Sequence, residues 1–457
     1  MENQITIEST LLALIENRRF GAIRDILVTM NSADIAVLFN DMPPESLAKL
    51  FRLLPKELAA ETFVEMDSDQ QENLIKGFSD NELKAVINEL YVDDAVDIVE
   101  EMPANVVKRI LRQADPEMRK DINELLKYPE DSAGSVMTTE FVDLKANMTV
   151  DDALKHIRKT GLDKETINTC YITKQDRILI GIITLRTLVL SKPDVPVSEI
   201  MEDNVISVTT EEDQETVAMM FKKYDFSSLP VVDAENRLVG IVTVDDAIDV
   251  LQDEATEDIE KMAAMLPSDK SYLKTGIFET VFSRMPWLLL LMISATFTGS
   301  IISNFEGKLA VFPALTAFIP MLMDTGGNSG SQASVSIIRG LSLGDIEFSD
   351  LFRILWKEIR VSVICGLILS VVSFAKIWLI DVKLLSSSAD LMQILVVCLT
   401  LFFTVVVAKI VGCLLPLFAQ KIGFDPAVMA SPFITTIVDA ISLLIYFGFA
   451  TLILSFS

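Results

Sequence analysis

Hydrophobic and polar residues are distributed unevenly along the 457-residue chain. Up to about residue 130, apolar positions recur at helical spacing among many charged residues. Between residues 137 and 255, short β-rich runs alternate with helical patterns, and beyond residue 285 long apolar stretches dominate. The pattern predicts an all-helical first part, an α/β middle part and a last part whose helices can cross a membrane.

Five apolar stretches in the last part have about the 20 residues that a membrane-spanning helix needs. They cover residues 285–305, 309–338, 357–380, 391–417 and 427–456. The connection between the second and third stretches holds four basic residues: Arg339, Arg353, Lys357 and Arg360. The connection after the first stretch holds only Lys308, and the connection after the third holds only Lys383. Because basic loops stay in the cytoplasm and the N-terminus shows no signal-peptide pattern, we expect a cytoplasmic N-terminus and an external C-terminus.

The net charge of −26 belongs almost entirely to the first 274 residues, because residues 275–457 hold 10 Lys and Arg against 11 Asp and Glu. Such an acidic surface repels nucleic acid and attracts cations. It serves either solubility alone or cation binding. His156 is the single histidine and the four cysteines lack ligand spacing, which excludes a zinc site and histidine catalysis. The sequence also lacks a P-loop and a nucleophile–base pair, so we expect no enzyme.

An internal repeat occupies the acidic helical part. Residues 34–58 align without gaps on residues 94–118, and both segments contain an acidic-Met-Pro step followed by an amphipathic pattern. This predicts stacked helical hairpins with proline at helix starts, up to about residue 130. Its carboxylates, Asp93, Asp94 and Asp97 among them, form either a solvated face or part of an ion site.

One ionisable residue, Asp439, lies in the middle of the last apolar stretch. A charge at the bilayer centre costs on the order of 3 kcal/mol and usually faces a bundle interior or a water-filled path. Thr435, Ser431 and Ser442 extend the same helical face into a polar stripe. Asp439 is therefore either an ion-binding residue or a protonated side chain hydrogen-bonded to a neighbouring helix.

The segment PMLMDTGGNSGSQAS, residues 320–334, is unusually polar for a membrane helix. Pro320 and three glycines predict an interrupted helix that lines an aqueous cavity; the glycines are Gly326, Gly327 and Gly330. Asn328 and Gln332, four residues apart, place two amide oxygens on one face. Oxygen ligands suit Mg²⁺, Ca²⁺ or Mn²⁺. The alternative is a glycine-rich packing interface without an ion.

A second repeat occupies residues 137–255, where CYITKQDRILIGIITLRTLV in the first copy corresponds to LPVVDAENRLVGIVTVDDAI in the second. Each copy reads as two β-rich runs between helices. The pair resembles a tandem CBS module, which commonly binds adenine nucleotides or ions and reports their presence to an attached domain.

The segment EATEDIEKMAAML, residues 254–266, follows this module. Ile259, Met262, Ala263 and Leu266 share one helical face, and Glu254, Glu257 and Asp258 share the other. This predicts an amphipathic helix that either couples the soluble part to the membrane part or simply links them.

Taken together, these parts resemble MgtE-type magnesium channels. The repeats, YPEDSAGSVM at 128–137, the CBS pair, the ATEDI helix, PMLMDTGGNSGSQ and DPAVMASPFITTIVDA carry the resemblance over nearly the whole chain. The resemblance implies a multidomain membrane protein with four parts: an all-α helical-repeat domain (1–130), an α/β tandem CBS module (131–253), a connecting helix (254–274) and a five-helix α transmembrane domain (275–457).

The resemblance also implies a homodimeric, Mg²⁺-selective pore in the cell membrane, with Asp439 binding the ion. Matching pore positions are Asn328, Gln332, Thr435, Ser431, Gly326 and Gly327. Relatives often have Asn where this chain has Ser431, which changes the local hydrogen bonds. With two copies of Asp439 beside a two-fold axis, we expect a largely hydrated Mg²⁺ between them, since Mg²⁺ gives up its water reluctantly.

Regulation by cytosolic Mg²⁺ is a further implication, because the family closes its pore when Mg²⁺ occupies acidic sites between the soluble parts. Matching positions are Glu215, Asp225, Asp246, Asp249, Glu257, Asp258, Asp93 and Asp97. Clustered carboxylates repel one another at low Mg²⁺, and a dication that bridges them stabilises the compact state. ATP at the CBS pair is a second implication. Alternatives are a divalent carrier coupled to a counter-ion and a nucleotide sensor without transport, although the sensor leaves Asp439 unexplained.

Overall fold

The computed structural model describes residues 2–40, 42–268, 272, 275–384, 389–429 and 431–454, without the side chains of residues 2–6, 8, 308 and 431. The chain divides into two compact units, Met1–Leu251 and Gln252–Ser457. The first contains the acidic helical part and the α/β part, and the second contains the long apolar helices.

Short helices make up the first part of the first unit, as the repeat predicted. Proline begins several of them; Pro44 and Pro116 each occupy a first-turn position, where the missing N–H costs nothing. Phe51, Phe63 and Phe78 form an aromatic cluster in their core. The helices are α1 Glu2–Glu16, α2 Phe20–Leu27, α3 Ser32–Asn40, α4 Pro44–Phe51, α5 Lys56–Val64, α6 Ser68–Gly77, α7 Asp80–Ile87, α8 Val92–Glu101, α9 Ala104–Gln113 and α10 Pro116–Leu125.

Two similar α/β copies follow, as predicted for residues 137–255. In each copy a short parallel strand and an antiparallel pair form a three-stranded sheet, in the orders β1-β2-β3 and β4-β5-β6. The Tyr171 and Ser228 hydroxyls, 2.7 Å apart and buried, join the two sheets. The elements are β1 Asp143–Leu144, α11 Val150–Thr160, β2 Thr169–Thr173, β3 Leu179–Thr184, α12 Leu185–Leu190, β4 Val208–Thr209, α13 Gln214–Tyr224, β5 Ser228–Val232 and β6 Leu238–Thr243.

The predicted connecting helix is part of a longer helix, α14 Val244–Met262. It starts directly after β6, ten residues before the predicted boundary at 254, and it ends at Met262 rather than near 274. The helix ends because Ala264 has a left-handed backbone, with φ of 55°. Of the predicted remainder, residues 269–271, 273 and 274 lie outside the described part of the chain.

Long helices make up the second unit. They are α15 Ile277–Asn304, α16 Glu306–Val311, α17 Ile319–Ser342, α18 Leu351–Lys376, α19 Leu391–Lys421 and α20 Ser431–Ile453; α18 continues as a π-helix, Ile377–Leu384. In the described residues, four helical segments are long and apolar enough to cross a membrane: Ile277–Asn304, Phe348–Leu384, Leu391–Lys421 and Pro426–Ile453. The predicted second span, which contains α17, is not among them, so the count of five stays a prediction.

The predicted interruption of the polar segment 320–334 is wrong. α17 is continuous through all three glycines, and Pro320 is its second residue, where no intrahelical hydrogen bond is lost. The irregular stretch lies earlier, at the 3-10 turn Pro313–Phe318. The glycines act through close packing instead, because a methyl group on Gly326 would lie 2.6 Å from Thr404 Cγ2 and 2.8 Å from Ser442 Oγ.

A close contact between α17 and α19 gives a stability prediction. A methyl group on Gly412 of α19 would overlap the Gly330 carbonyl group of α17. We therefore expect Gly412→Ala to lower the free energy of unfolding by about 1–3 kcal/mol, the usual cost of overpacking. Chemical denaturation in detergent measures it, with Gly448→Ala on α20 as a control, since no atom lies within 4 Å of a methyl group there. Equal stability of the two variants would rule out this contact as the reason for glycine.

Candidate cation sites

Asp439 lies on α20, where this helix packs against the glycine segment of α17. The side chain is half-buried, and Thr435 lies one turn earlier. Gly327 is the contact point, because a methyl group there would lie 3.0 Å from Thr435 Cγ2. The structure thus brings Gly326, Gly327, Thr435 and Asp439 to one contact between α17 and α20. Ser431 begins α20, but its side chain lies outside those described.

A stripe of polar side chains runs along the exposed side of α17. Asn328 and Gln332 are exposed one turn apart, and Asp324 continues the stripe one turn earlier. The Asn328 amide donates a hydrogen bond to Asp324 Oδ1 over 3.1 Å. The Asp324 carboxylate is also close enough to interact electrostatically with Asp439. Together they offer carboxylate, amide and hydroxyl oxygens, the ligands that a hard divalent cation prefers.

Asp324 is the residue that sequence reasoning missed in this region. It has the signal that identified Asp439, a carboxylate within a largely apolar helix, and it lies four residues before Asn328. The glycines that follow Asp324 indicated an irregular backbone, which gave no role to its carboxylate.

A second group of carboxylates lies in the first unit and is named here the acidic cluster: Asp93, Glu140 and Glu165. One oxygen from each lies within 4.8 Å of the others, which is close enough for a shared metal ion. Asp93 belongs to the first turn of α8, whereas Glu140 and Glu165 precede β1 and β2. Glu140 also accepts a hydrogen bond from the Val92 backbone N–H over 3.1 Å. The cluster therefore forms where the helical domain meets the CBS-like part.

The electrostatics of the acidic cluster favour a cation. Burial, reinforced by the neighbouring carboxylates, raises the pKa of Asp93 well above its usual value, that of Asp94 to about 7 and that of Glu165 to about 8. Among the described residues, the buried Glu165 Oε2 has no hydrogen-bond partner. A cavity of about 540 Å³ lies beside these groups. A divalent ion would neutralise the carboxylates and satisfy the buried oxygen.

Asp246 is the other predicted ligand at this place. It lies in the first turn of α14, accepts a hydrogen bond from Thr243 Oγ1 over 2.5 Å and acts electrostatically on Asp93. Burial raises its pKa to about 6. The structure thus brings Asp93 and Asp246 together from distant parts of the sequence.

The remaining predicted ligands of the first unit lie outside the acidic cluster. Asp97, one turn after Asp93, and Asp249, three residues after Asp246, are exposed. Glu215 lies in the first turn of α13, and Asp225 ends that helix in a left-handed conformation. Sequence reasoning missed Glu140 and Glu165, since neither belongs to a motif and only the tertiary fold brings them to α8.

The end of α14, which belongs to the second unit from Gln252 onward, contacts other helices of that unit through charged groups. Asp258 accepts a hydrogen bond from Ser342 Oγ over 2.9 Å. Lys261 Nζ lies 2.7 Å from a carboxylate oxygen of both Glu257 and Asp425. Of the predicted apolar face, Met262 packs against the buried Ile338 and Ala427, whereas Ile259 and Leu266 are 65% and 46% exposed. The polar face therefore makes most of the contact, with Glu257 and Asp258 already paired to protein groups.

Comparisons with known proteins cover most of the chain. Family models match at residues 30–131 (MgtE intracellular N domain), 133–192 and 197–253 (CBS domain), and 319–449 (MgtE, divalent cation transporter). The Magnesium transporter MgtE of Thermus thermophilus is 36% identical over 95% of each chain, and that of Bacillus subtilis is 33% identical over 99% of each. The chain belongs to the MgtE family.

Two solved structures resemble about half of the chain. The cytosolic domain of the Mg²⁺ channel MgtE in complex with ATP is 35% identical, with a TM-score of 0.51, and covers 53% of this chain and 99% of that one. The soluble part of a magnesium transporter is 31% identical, with a TM-score of 0.51, and its match covers 56% of this chain and 99% of that one. Membership of the MgtE family confirms the predicted resemblance, and the family models confirm the helical N-terminal domain and the tandem CBS module. The relatives that match over nearly the whole chain are named magnesium transporters.

Proposed function

We propose that this chain carries Mg²⁺ across the cell membrane as a homodimeric channel, and that cytosolic Mg²⁺ closes the path. The observation that carries the proposal is the polar stripe of Asp324, Asn328 and Gln332 on α17, beside Asp439 of the largely apolar α20. The names of the full-length relatives point to the same ion.

The cation path follows from the cost of polar groups in lipid. Asp324, Asn328 and Gln332 are exposed on a single copy of the chain. Polar side chains at membrane depth are costly unless they face protein or water. A second copy packed on this face, related by a two-fold axis, would enclose an aqueous path between the stripes. Two Asp439 carboxylates would then neutralise one dication, held largely through its own water.

The membrane topology belongs to the same proposal. α17 is the second of five spans; its buried glycine face packs within the bundle, and its polar face borders the path. Five spans place the two termini on opposite sides of the membrane. The basic connection between the second and third spans then places the N-terminal domains in the cytoplasm and the C-terminus outside.

Closure by cytosolic Mg²⁺ rests on the acidic cluster. Without a cation, its ionised carboxylates repel one another across the contact between the helical domain and the CBS module. A bound Mg²⁺ removes this repulsion and stabilises the docked state. ATP binding at the CBS module is part of the proposal, supported by the related cytosolic domain solved with ATP.

The docked state would act on the path through α14. Lys261 of this helix pairs with Asp425, which directly precedes the turn Pro426–Met429 and α20. A displacement of α14 would thus be transmitted to the helix that holds Asp439.

Flux through the full-length protein tests the transport proposal. Liposomes that contain the protein and a trapped Mg²⁺-sensitive dye should show Mg²⁺ entry driven by a Mg²⁺ gradient alone. Entry that required an opposing Na⁺ or proton gradient would indicate the coupled carrier, and entry no faster than in empty liposomes would contradict transport.

A further inference from the structure

A buried ion pair lies in the membrane part, away from the polar stripe of α17. Lys409 Nζ of α19 lies 4.0 Å from Glu358 Oε2 of α18, and the two side chains are only 9% and 15% exposed. Both belong to helical segments that are long and apolar enough to cross a membrane. Glu358 lies between Lys357 and Arg360 of the basic connection, but its burial with Lys409 removes both charges from water, and buried charges are costly and usually paired. The proposed Mg²⁺ path uses neither residue directly.

The position of Lys409 relates this pair to the path. Its neighbour Ala408 forms one buried cluster with Ile434 and Val438 of α20. The Ala408 carbonyl oxygen also lies 3.2 Å from where a methyl group on Gly330 of α17 would be. Since Val438 directly precedes Asp439, a single helix-to-helix contact separates the turn of Lys409 from that of Asp439. The two turns are therefore about one helix diameter apart, ~10 Å, and the Lys409 ammonium lies farther from Asp439, roughly 15–20 Å, because it points to α18.

A net positive charge at that distance would oppose a dication at Asp439. At an effective dielectric constant of about 20, one unit charge roughly 15–20 Å from Mg²⁺ lowers its occupancy about tenfold or more. A lysine beside the path therefore requires a local counter-charge, and Glu358 supplies it from the opposite side of α19.

We propose that Glu358 is a positioning residue that holds and neutralises the Lys409 ammonium, so that α19 supports both path-lining helices without weakening Mg²⁺ binding at Asp439. This inference rests on the proposed Mg²⁺ path. The ion pair sets the apparent affinity for Mg²⁺ through its net charge, not only through packing.

Two double variants that differ in charge test the inference. E358Q/K409M removes both charges, whereas E358Q/K409R leaves one positive charge that cannot be lost, because an arginine stays protonated. Mg²⁺ entry into liposomes gives the half-saturating Mg²⁺ concentration and the maximal rate. We expect E358Q/K409M to have the wild-type half-saturating concentration and E358Q/K409R to have one raised about tenfold. Equal half-saturating concentrations in the two double variants would overturn the inference.

Controls separate this result from misfolding and from failure of the path itself. Size-exclusion chromatography in detergent reports folding, and if E358Q/K409R does not fold, single E358Q replaces it. Asp381→Asn removes the partner of Lys376 in a pair near the other end of α18 and should leave the concentration unchanged. Asp439→Asn, measured in parallel, decides the path. Normal flux in the Asp439→Asn variant would contradict the proposed function. If that variant loses its flux but the two double variants have equal half-saturating Mg²⁺ concentrations, only the role of Glu358 is contradicted.

Discussion

Asp439→Ala is expected to lower Mg²⁺ entry into liposomes at least a hundredfold. In the proposed dimer, the substitution removes both carboxylates that compensate a dication inside the membrane. Without these carboxylates, only neutral polar groups stabilise the dication in a low-dielectric region. An unpaired charge in such a region costs several kcal/mol. Flux of ²⁵Mg²⁺ or a trapped dye measures the effect in the full-length protein.

Two further variants sharpen this test. Asp439→Glu keeps the charge but moves it by one methylene group, so it should retain part of the flux. Thr436→Ala removes a hydroxyl group from the same helix that donates its hydrogen bond to the Pro432 carbonyl group, and it should leave the flux near normal. Wild-type flux in the alanine variant of Asp439 would remove this residue from the path.

Neutralising the acidic cluster is expected to make the soluble part compact without Mg²⁺. In D93N/E140Q/E165Q the repulsion is gone, and the amide that replaces the Glu140 carboxylate keeps an oxygen that can accept from the Val92 N–H. Limited proteolysis of the full-length protein in chelator should therefore be several-fold slower than in wild type and should not change when millimolar Mg²⁺ is added. Cleavage that still depends on Mg²⁺ would show that the closing ions bind elsewhere.

The same substitutions should remove a pH dependence. Burial and neighbouring carboxylates raise the pKa of Glu165 to about 8 and that of Asp93 well above its usual value in the docked arrangement, whereas free carboxyl groups titrate near 4. The contribution of these two groups is therefore fully present below pH 4 and is lost as the pH rises through about 8. In chelator, wild-type cleavage should speed up between pH 6 and 8, and Mg²⁺ or the triple substitution should flatten this profile. A flat wild-type profile in chelator would contradict it.

Local patterns predicted much of the architecture. Helical periodicity with proline at helix starts indicated the first helices, and strand-rich repeats indicated the two sheets. Asp439 could be singled out because a carboxylate in an apolar helix is rare for a physical reason. For Gly326 the sequence left both an irregular backbone and close helix packing open, and only the neighbouring Thr404 and Ser442 decide between them.

Long-range contacts lay beyond the sequence. Asp93, Glu140 and Glu165 converge only after the helical domain packs on the CBS module. The Lys261–Asp425 pair joins residues more than 160 positions apart, and no periodicity relates them. The sequence predicted a helix after the second pair of strands and a connecting helix from residue 254, but only the structure shows that they form one continuous helix, α14.

Mg²⁺ flux with the ion concentration controlled separately on the two faces tests the central claim most directly. Raising Mg²⁺ from the micromolar to the millimolar range on the face that carries the soluble domains, at a fixed electrochemical driving force, should reduce the flux several-fold. The same change on the other face should not. Flux that is independent of Mg²⁺ on the domain-bearing face would contradict a path closed by its own ion.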